Sequence, residues 1–260
     1  RTTVSSHEML KKNLPDAEII TDFLDDVIDE IRAVKSKDEE IKTEKAQRIA
    51  EAALDVILPK IKAGKTEREL SLELDYTMLK MGAEALSFET IFVSGKKSSM
   101  PHGVPSDKKI ENGDFVTVDF GAVYESYHSD MTRTFAVGSV SDKMAEVYNT
   151  VLNTQLKSLE ALKPGAECKA VDAIARDIIS EKGYGDCFGH SLGHGVGIEI
   201  HEYPNLSTKS KSFLKVGNIV TVEPGIYIPG EFGVRIEDMA IITEEGYKNF
   251  TLYRKDLIVL

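Results

Sequence analysis

Apolar positions at helical spacing alternate twice along the chain with short β-branched runs. Ser6 to Asn13 predicts a helical turn, Leu14-Pro15 a break, and Ala17 to Ile20 a short strand. With Thr21 as N-cap, Phe23, Leu24, Val27, Ile28 and Ile31 predict a helix. The charged run 35–45 reads as the solvated entry to a long helix from Glu40 to Lys60, with Ile49, Ala53, Val56 and Ile57 on its apolar face. Gly64 ends that region. Thr66-Glu67-Arg68-Glu69 is a capping-box pattern that opens a second helix to Met81, and Gly82 stops it. The pattern then turns to strands. Tyr124 to Tyr127 reads as a turn and Ser129 to Gly138 as an alternating strand. Further strands are expected near His194 to His201, Ile219 to Glu223, and Val234 to Thr243, the last joined as a hairpin through Pro229-Gly230.

Two stretches are near-copies: Gly113-Asp-Phe-Val-Thr-Val-Asp119-Phe-Gly121 and Gly217-Asn-Ile-Val-Thr-Val-Glu223-Pro-Gly225. Each ends an apolar strand on a carboxylate, and the two acids are 104 residues apart (223 minus 119). The helices repeat as well. Gly64 to Gly82 and Gly165 to Gly183 are both 18 residues, and the two pairs are offset by 101 (165 minus 64). Matched landmarks at nearly one offset indicate a duplication of two helices followed by strands. The expected class is α+β, a curved antiparallel sheet covered by helices.

Composition narrows the functions. The net charge is −11 and the pI about 5.1. An acidic chain argues against a nucleic-acid partner or an anionic membrane surface, both of which call for a basic face. No apolar run approaches the roughly 18 residues of a membrane span, and no signal peptide is visible. Cys168 and Cys187 form no metal or redox spacing, so they read as thiols of a reducing, cytoplasmic compartment.

Five residues stand out as one set: Asp119, Asp130, His194, Glu223 and Glu237. Each carboxylate lies in a β-branched or apolar context, where an unpaired charge is costly. Arg133 and Arg235 could neutralise part of that charge, and one or two divalent metals the rest. An oxygen-rich set with one imidazole suits Mn²⁺, Co²⁺ or Fe²⁺, and also accommodates Zn²⁺. An Asp/Glu/Arg ion-pair network is the alternative that spacing leaves open. The glycine-dense stretch Gly189 to Gly197 carries His190 and His194, and His201 follows. Three imidazoles so close together, flanked by glycine, point to a cleft. His102, in a Pro-His-Gly loop, is a further candidate. His128 reads as an ordinary strand residue and His7 as part of the N-terminal tail.

Seven ordered pieces carry a resemblance: Pro101-His102-Gly103, Val118-Asp119-Phe-Gly121, Ser129-Asp130-Met-Thr-Arg133-Thr, Gly193-His194-Gly195-Val-Gly197, His201-Glu202-Tyr-Pro204, Val222-Glu223-Pro-Gly225 and Arg235-Ile-Glu237-Asp238. Together they resemble the pita-bread metallopeptidases, within them the proline-specific branch of Xaa-Pro dipeptidases (prolidases) and Xaa-Pro aminopeptidases. The resemblance implies two pseudo-symmetric halves and two divalent metal ions, Mn first, with Co, Fe or Zn as alternatives. Asp119, Asp130, His194, Glu223 and Glu237 would hold them, Asp130 and Glu237 bridging. A metal-activated water would attack the peptide carbonyl, with Glu223 as proton shuttle. His102 and His201 would hold the scissile group and its oxyanion, and His190 and Arg235 would line the substrate pocket. Short proline-containing peptides are the implied substrates, with dipeptides favoured slightly over longer ones. Methionine aminopeptidase shares the ligands, but Thr132-Arg133-Thr134 and Arg235-Ile-Glu237 resemble the proline branch better. A non-catalytic binding module on the same fold has no need of the complete ligand set. Within this frame, residues 1–35 read as the tail of an N-terminal domain plus a linker helix, and 36–260 as the catalytic domain. The expected native product is longer, and homodimeric at full length.

Overall fold

The computed structural model describes residues 2–19 and 24–260. Two helices come first, α1 (Val4–Asn13) and α2 (Leu24–Ala33). The expected helical turn is thus a helix, and its α1 residues are all solvent-facing or half-covered. The strand expected over 17–20 is not formed by residues 17–19, which pair with no neighbouring edge. Ile20, the proposed cap Thr21, and Phe23 lie outside the described residues.

The first half follows as α3 (Lys37–Ile57), α4 (Glu67–Lys80), β1 (Ala85–Leu86), β2 (Ile91–Ser94), β3 (Phe115–Phe120), β4 (Ala122–Tyr124), β5 (Tyr127–His128) and β6 (Met131–Ala136). The second is α5 (Asp142–Glu160), α6 (Cys168–Glu181), β7 (Gly193–Gly195), β8 (Glu202–Leu206), β9 (Ile219–Val222), β10 (Gly225–Ile228), β11 (Phe232–Arg235), β12 (Asp238–Thr243) and β13 (Gly246–Asn249).

α3 starts earlier than its apolar pattern indicates. Ser36 caps it through a full capping box, accepting from the Glu39 amide while Glu39 Oε2 accepts from the Ser36 amide at 2.7 Å. Its buried face is Ala46, Ile49, Ala50, Ala53, Leu54 and Ile57. Val56 is 40% exposed because it lies at the margin of this face, about 20° beyond Ile49 on the side away from Ala50 and Leu54. At Thr66 only half of the expected box exists. Thr66 accepts from the Glu69 amide, but the Glu69 carboxylate turns to Lys65. The glycines that close these helices occupy left-handed backbone at matched places, Gly82 with φ +104° and Gly183 with φ +82°.

The two copied strands, β3 and β9, hold equivalent places. β3 lies between β2 and β6, and β9 between β7 and β12, all antiparallel. A small hairpin is inserted after each copy before its partner returns: β4–β5 after β3, and β10–β11 after β9. Glu125 and Ser126, both at positive φ, make the tight turn between β4 and β5. Two expected strands are corrected. The stretch 194–201 is not one strand, because β7 and β8 fold back on each other and residues 196–201 form their connection. Val234 to Thr243 is broken at Ile236-Glu237, where the chain leaves β10 and joins β9. That change of partner turns Glu237 into the space between the halves. The halves meet there, the Glu237 amide donating to Thr132 O and Thr134 Oγ1 to Arg235 O.

Each half has its own apolar core. One packs α3 and α4 onto β2, β3 and β6; the other packs α5 and α6 onto the second set of strands. Helices therefore cover the outside and the sheet ends face inward. Among the described residues no helix is long and apolar enough to cross a membrane.

Candidate active site

A cleft of about 490 Å³ opens between the two halves. It is lined by all nine residues singled out in the sequence: Asp119, Asp130, His194, Glu223, Glu237, His102, His190, His201 and Arg235. The fold explains the convergence. Asp119 closes β3, Asp130 precedes β6, Glu223 follows β9 and Glu237 precedes β12, so each inserted hairpin leaves a carboxylate on either side.

The centre is tight. Ligand atoms of Asp130, His194 and Glu237 all lie within 4.8 Å of one another. His194 Nε2 sits 3.5 Å from Asp130 Oδ2 and 3.6 Å from Glu223 Oε1. Its Nδ1 donates to Gly195 O at 3.0 Å, which leaves Nε2 facing the carboxylates. Thr132 Oγ1 donates to Glu237 Oε2 at 2.7 Å. Asp119 lies to one side, its Oδ2 bound by Arg235 Nη2 at 2.5 Å and its Oδ1 buried without a partner.

The electrostatics follow. Burial pushes the Asp130 carboxyl up to about 6, with Asp119 adding to the rise and His194 opposing it. Desolvation in the cleft likewise raises Glu223 to about 7 against the pull of His194 and Arg235. Glu237 is held well above the usual carboxylate range, by burial first and then by repulsion from Asp130 and Glu223. Burial would lower His194, but hydrogen bonding to Asp130 and the nearby Glu223 charge overcome it and raise the imidazole to about 9. The cluster holds more negative charge than its own cations balance. Its oxygen-rich donors, its single imidazole and the orphaned Asp119 oxygen together fit divalent cations.

A second set of contacts orders the wall. Arg235 Nη1 donates to Tyr227 Oη at 2.7 Å, and Arg235 Nε to Thr132 Oγ1 at 3.1 Å. Tyr227 Oη in turn donates to His190 Nε2 at 2.9 Å, while His190 Nδ1 donates to Ser191 O at 2.8 Å. Both His190 nitrogens are thus engaged within the protein. Burial, then the Arg235 charge, lowers the His190 imidazole to about 4, so it is neutral. The His201 ring lies against His194, centroids 4.3 Å apart, and burial lowers its pKa.

Arg133 does not neutralise this cleft as the sequence suggested. Strand alternation turns it the other way, where it pairs with Asp238 at 2.8 Å and donates to the carbonyls of Glu237 and Tyr253. His128 stays outside, its amide bound to Gly197 O. Tyr227 was missed by sequence reasoning. It reads as one more apolar position of a hairpin, and only its contacts give it meaning. Thr132 lies inside the quoted Thr-Arg-Thr motif, but its bridging role had no local signal.

Residues 42–244 match the model of metallopeptidase family M24. The chain belongs to that family. It is 50% identical over 235 residues to the Xaa-Pro dipeptidase of Pyrococcus furiosus, covering 90% of this chain and 68% of that protein. Among solved structures, an Xaa-Pro dipeptidase from Bacillus anthracis superposes with a TM-score of 0.95 at 50% identity, covering all of this chain and 72% of the other. An X-Pro aminopeptidase from Thermotoga maritima superposes at 0.93 with 42% identity, covering all of this chain and 73% of the other. The α+β architecture of this M24 chain, with its two similar halves, is the pita-bread fold. As an M24 member the chain is a metal-dependent hydrolase.

Proposed function

We propose that the chain is a dinuclear-metal exopeptidase that hydrolyses the bond before proline, acting first on Xaa-Pro dipeptides. The observation that carries this is the tight group of Asp130, His194 and Glu237 in a cleft that also collects Asp119, Glu223, His102 and His201. Asp119, Asp130, His194, Glu223 and Glu237 would hold two divalent cations, Asp130 and Glu237 shared between them, with Mn²⁺ the best match to the donors. Bound there, such ions acidify water and polarise a carbonyl.

The chain's own groups supply the rest. Glu223 takes a proton from the attacking water and returns it to the departing proline nitrogen. His102 and His201 donate to the carbonyl oxygen as it gains charge. The apolar side chains of Phe88, Ile91, Val104 and Ile200 offer a slot for the proline ring. A proline nitrogen has no hydrogen to donate, so a selective site needs no acceptor waiting for one. Arg235, already anchored on Asp119 and Tyr227, presents its remaining donor capacity to a substrate carboxylate. The unpaired thiols Cys168 and Cys187 suit a reducing, cytoplasmic compartment.

The test is hydrolysis of Ala-Pro, Ala-Pro-Ala and Met-Ala-Ser by metal-stripped protein and by protein restored with Mn²⁺ or Co²⁺. The dipeptidase reading expects activity only after restoration, with Ala-Pro fastest. Faster cleavage of Ala-Pro-Ala makes the chain an Xaa-Pro aminopeptidase, the activity named for the Thermotoga neighbour. Preference for Met-Ala-Ser removes the proline assignment.

A further inference from the structure

Glu67 is fully buried at the first position of α4, and it is not in the cleft. An ionised carboxylate is costly to bury without partners, so its surroundings indicate its task. Its Oε1 accepts from the Ser94 amide at 2.8 Å and from Ser94 Oγ at 3.0 Å. Its Oε2 accepts from Lys97 Nζ at 2.6 Å, the Ser106 amide at 3.0 Å and Ser106 Oγ at 2.8 Å. Five donors thus converge on one side chain, and they come from both ends of one segment.

Ser94 is the last residue of β2, and Ser106 follows Pro105. Between them runs the loop whose Pro101, His102, Gly103, Val104 and Pro105 form a wall of the cleft. Lys97, inside that loop, closes it crosswise by also donating to Val104 O at 2.7 Å and to Ser106 Oγ at 2.8 Å. The loop is also held from the second half, by the Gly233 amide on Ser98 Oγ at 2.9 Å and by Arg235 Nη1 on Pro101 O at 3.3 Å. Its only regular element is a single turn of 3₁₀ helix over Gly95–Ser99, and Met100 and Val104 are exposed. We propose that Glu67 and Lys97 form a clasp that positions His102 over the reacting carbonyl. Neither touches substrate. Glu67 draws the two ends of the loop together, and Lys97 fixes how far its apex leans over the cleft.

The inference rests on the catalytic reading of His102, so its test carries one readout that needs no catalysis. Backbone hydrogen exchange is measured across 96–104 in the metal-restored full chain and in Lys97→Met, whose side chain is partly exposed and whose loss leaves Glu67 four donors. Exchange in that segment should rise at least tenfold, with the rest of the chain and its metal content unchanged. With Ala-Pro, kcat should fall about 30- to 100-fold while KM changes little, as expected for a displaced catalytic group. Lys97→Arg should recover most of the loss. In a His102→Ala background, Lys97→Met should add less than a twofold further loss. Glu67→Gln, whose amide nitrogen would face the donors on one side of the present carboxylate, should loosen the loop at least as much as Lys97→Met. Unchanged exchange in Lys97→Met overturns the clasp. Raised exchange with unchanged kcat overturns the positioning of His102, as does an equal loss with and without His102. A wild-type chain that cleaves no proline peptide yet shows the exchange change overturns the functional reading and supports the clasp.

Discussion

β3 and β9 deliver their carboxylates into one cleft but into different company. Asp119 meets a guanidinium, Arg235, at 2.5 Å. Glu223, its counterpart in the second copy, has imidazoles rather than a guanidinium within 4 Å, His194 at 3.6 Å and His190 at 3.9 Å, and accepts from Thr221 Oγ1 at 3.4 Å. A guanidinium is a permanent charge with fixed geometry, whereas an imidazole near a carboxylate can exchange its proton. Duplication supplied the placement of the acids; their different neighbours supply their separate chemistry. Glu223, beside imidazoles, is placed to pass a proton, and Asp119 is placed to anchor the Arg235 guanidinium.

The largest expected effect breaks the pair at Glu223. Glu223→Gln should lower kcat for Ala-Pro by about 10²- to 10⁴-fold, the usual worth of a general acid–base group. KM should move far less, and the metal-free variant should be at least as stable as wild type, since a costly buried acid has gone. Steady-state kinetics with urea unfolding checks both. A variant retaining most of its kcat would remove Glu223 from proton transfer.

The second effect is a pH dependence to which both halves contribute, Asp130 from the first and Glu223 and His194 from the second. Asp130 and Glu223 have folded-state pKa values of about 6 and 7, above their ordinary 3.8 and 4.5. From about pH 4 to 7 the folded metal-free chain therefore keeps protons that the unfolded chain has lost, and its stability falls as pH rises. His194, raised from 6.5 to about 9, contributes stability that is fully present below 6.5 and is lost as pH rises through 9. All three shifts have the same sign. Metal-free protein should lose roughly 1–1.5 kcal/mol per pH unit for each proton difference across this span. Metal should oppose the trend, because its ligands bind deprotonated and affinity grows with pH. Urea midpoints at pH 5, 7 and 9, with chelator and with Mn²⁺, measure this. Greater metal-free stability at pH 9 than at pH 5 contradicts it.

A smaller loss is expected at the other acid. Asp119→Asn leaves the buried Arg235 without its anion. Removing one partner of a buried pair costs about 3–5 kcal/mol, and the retained Asn oxygen places this case near 3. The comparison fails if Asp119→Asn and Glu223→Gln have the same effect on metal-free stability.

How much of this was readable follows the reach of each interaction. The copied strands and the helix-closing glycines Gly82 and Gly183 sit in dense local motifs and fell where the pattern placed them, and the nine quoted residues line one cleft. What escaped depends on partners far along the chain. Arg133 looks like a neutraliser of the nearby acids until β6 is folded, when alternation sends it to Asp238. Tyr227 gains meaning only when β10 brings it between Arg235 and His190. Glu67 reads as a routine first-turn acid, because Ser94 and Ser106 are distant in sequence and meet it only after β2 docks on α4. The break at Glu237 was hidden for the same reason. Val234-Arg235-Ile236-Glu237 alternates as a strand does and runs straight into Met239 to Ile242, and only the change of strand partner divides them.

The last difference between the halves concerns how their histidine loops are held. The His102 loop is tied by Glu67 on α4 of its own half and by the Gly233 amide and Arg235 across the cleft. The connection bearing His201 is tied by Glu202, whose carboxylate accepts from Lys35 Nζ at 2.9 Å, Arg32 Nη2 at 2.5 Å and the Glu199 amide at 3.0 Å. Both cations come from α2 and the residues just after it, outside the duplicated unit. Burial alone would raise Glu202, but Lys35 and then Arg32 outweigh it and hold the carboxyl below its usual range. The two cations are not equal. The Lys35 side chain is 1% exposed and Arg32 23%, and burial lowers the Lys35 pKa, so solvent can replace part of what Arg32 gives. Arg32→Gln should therefore cost only about 1 kcal/mol, below the roughly 1.5–3 kcal/mol of a hydrogen bond to a charged group, because solvent screens it and Lys35 still closes the tie. Lys35→Met should cost more, since it removes the wholly buried partner. Ala-Pro kinetics should show the same order, with a loss of at most a few-fold for Arg32→Gln. If Arg32→Gln proves the more damaging of the two, the exposed cation is the true anchor of the His201 connection.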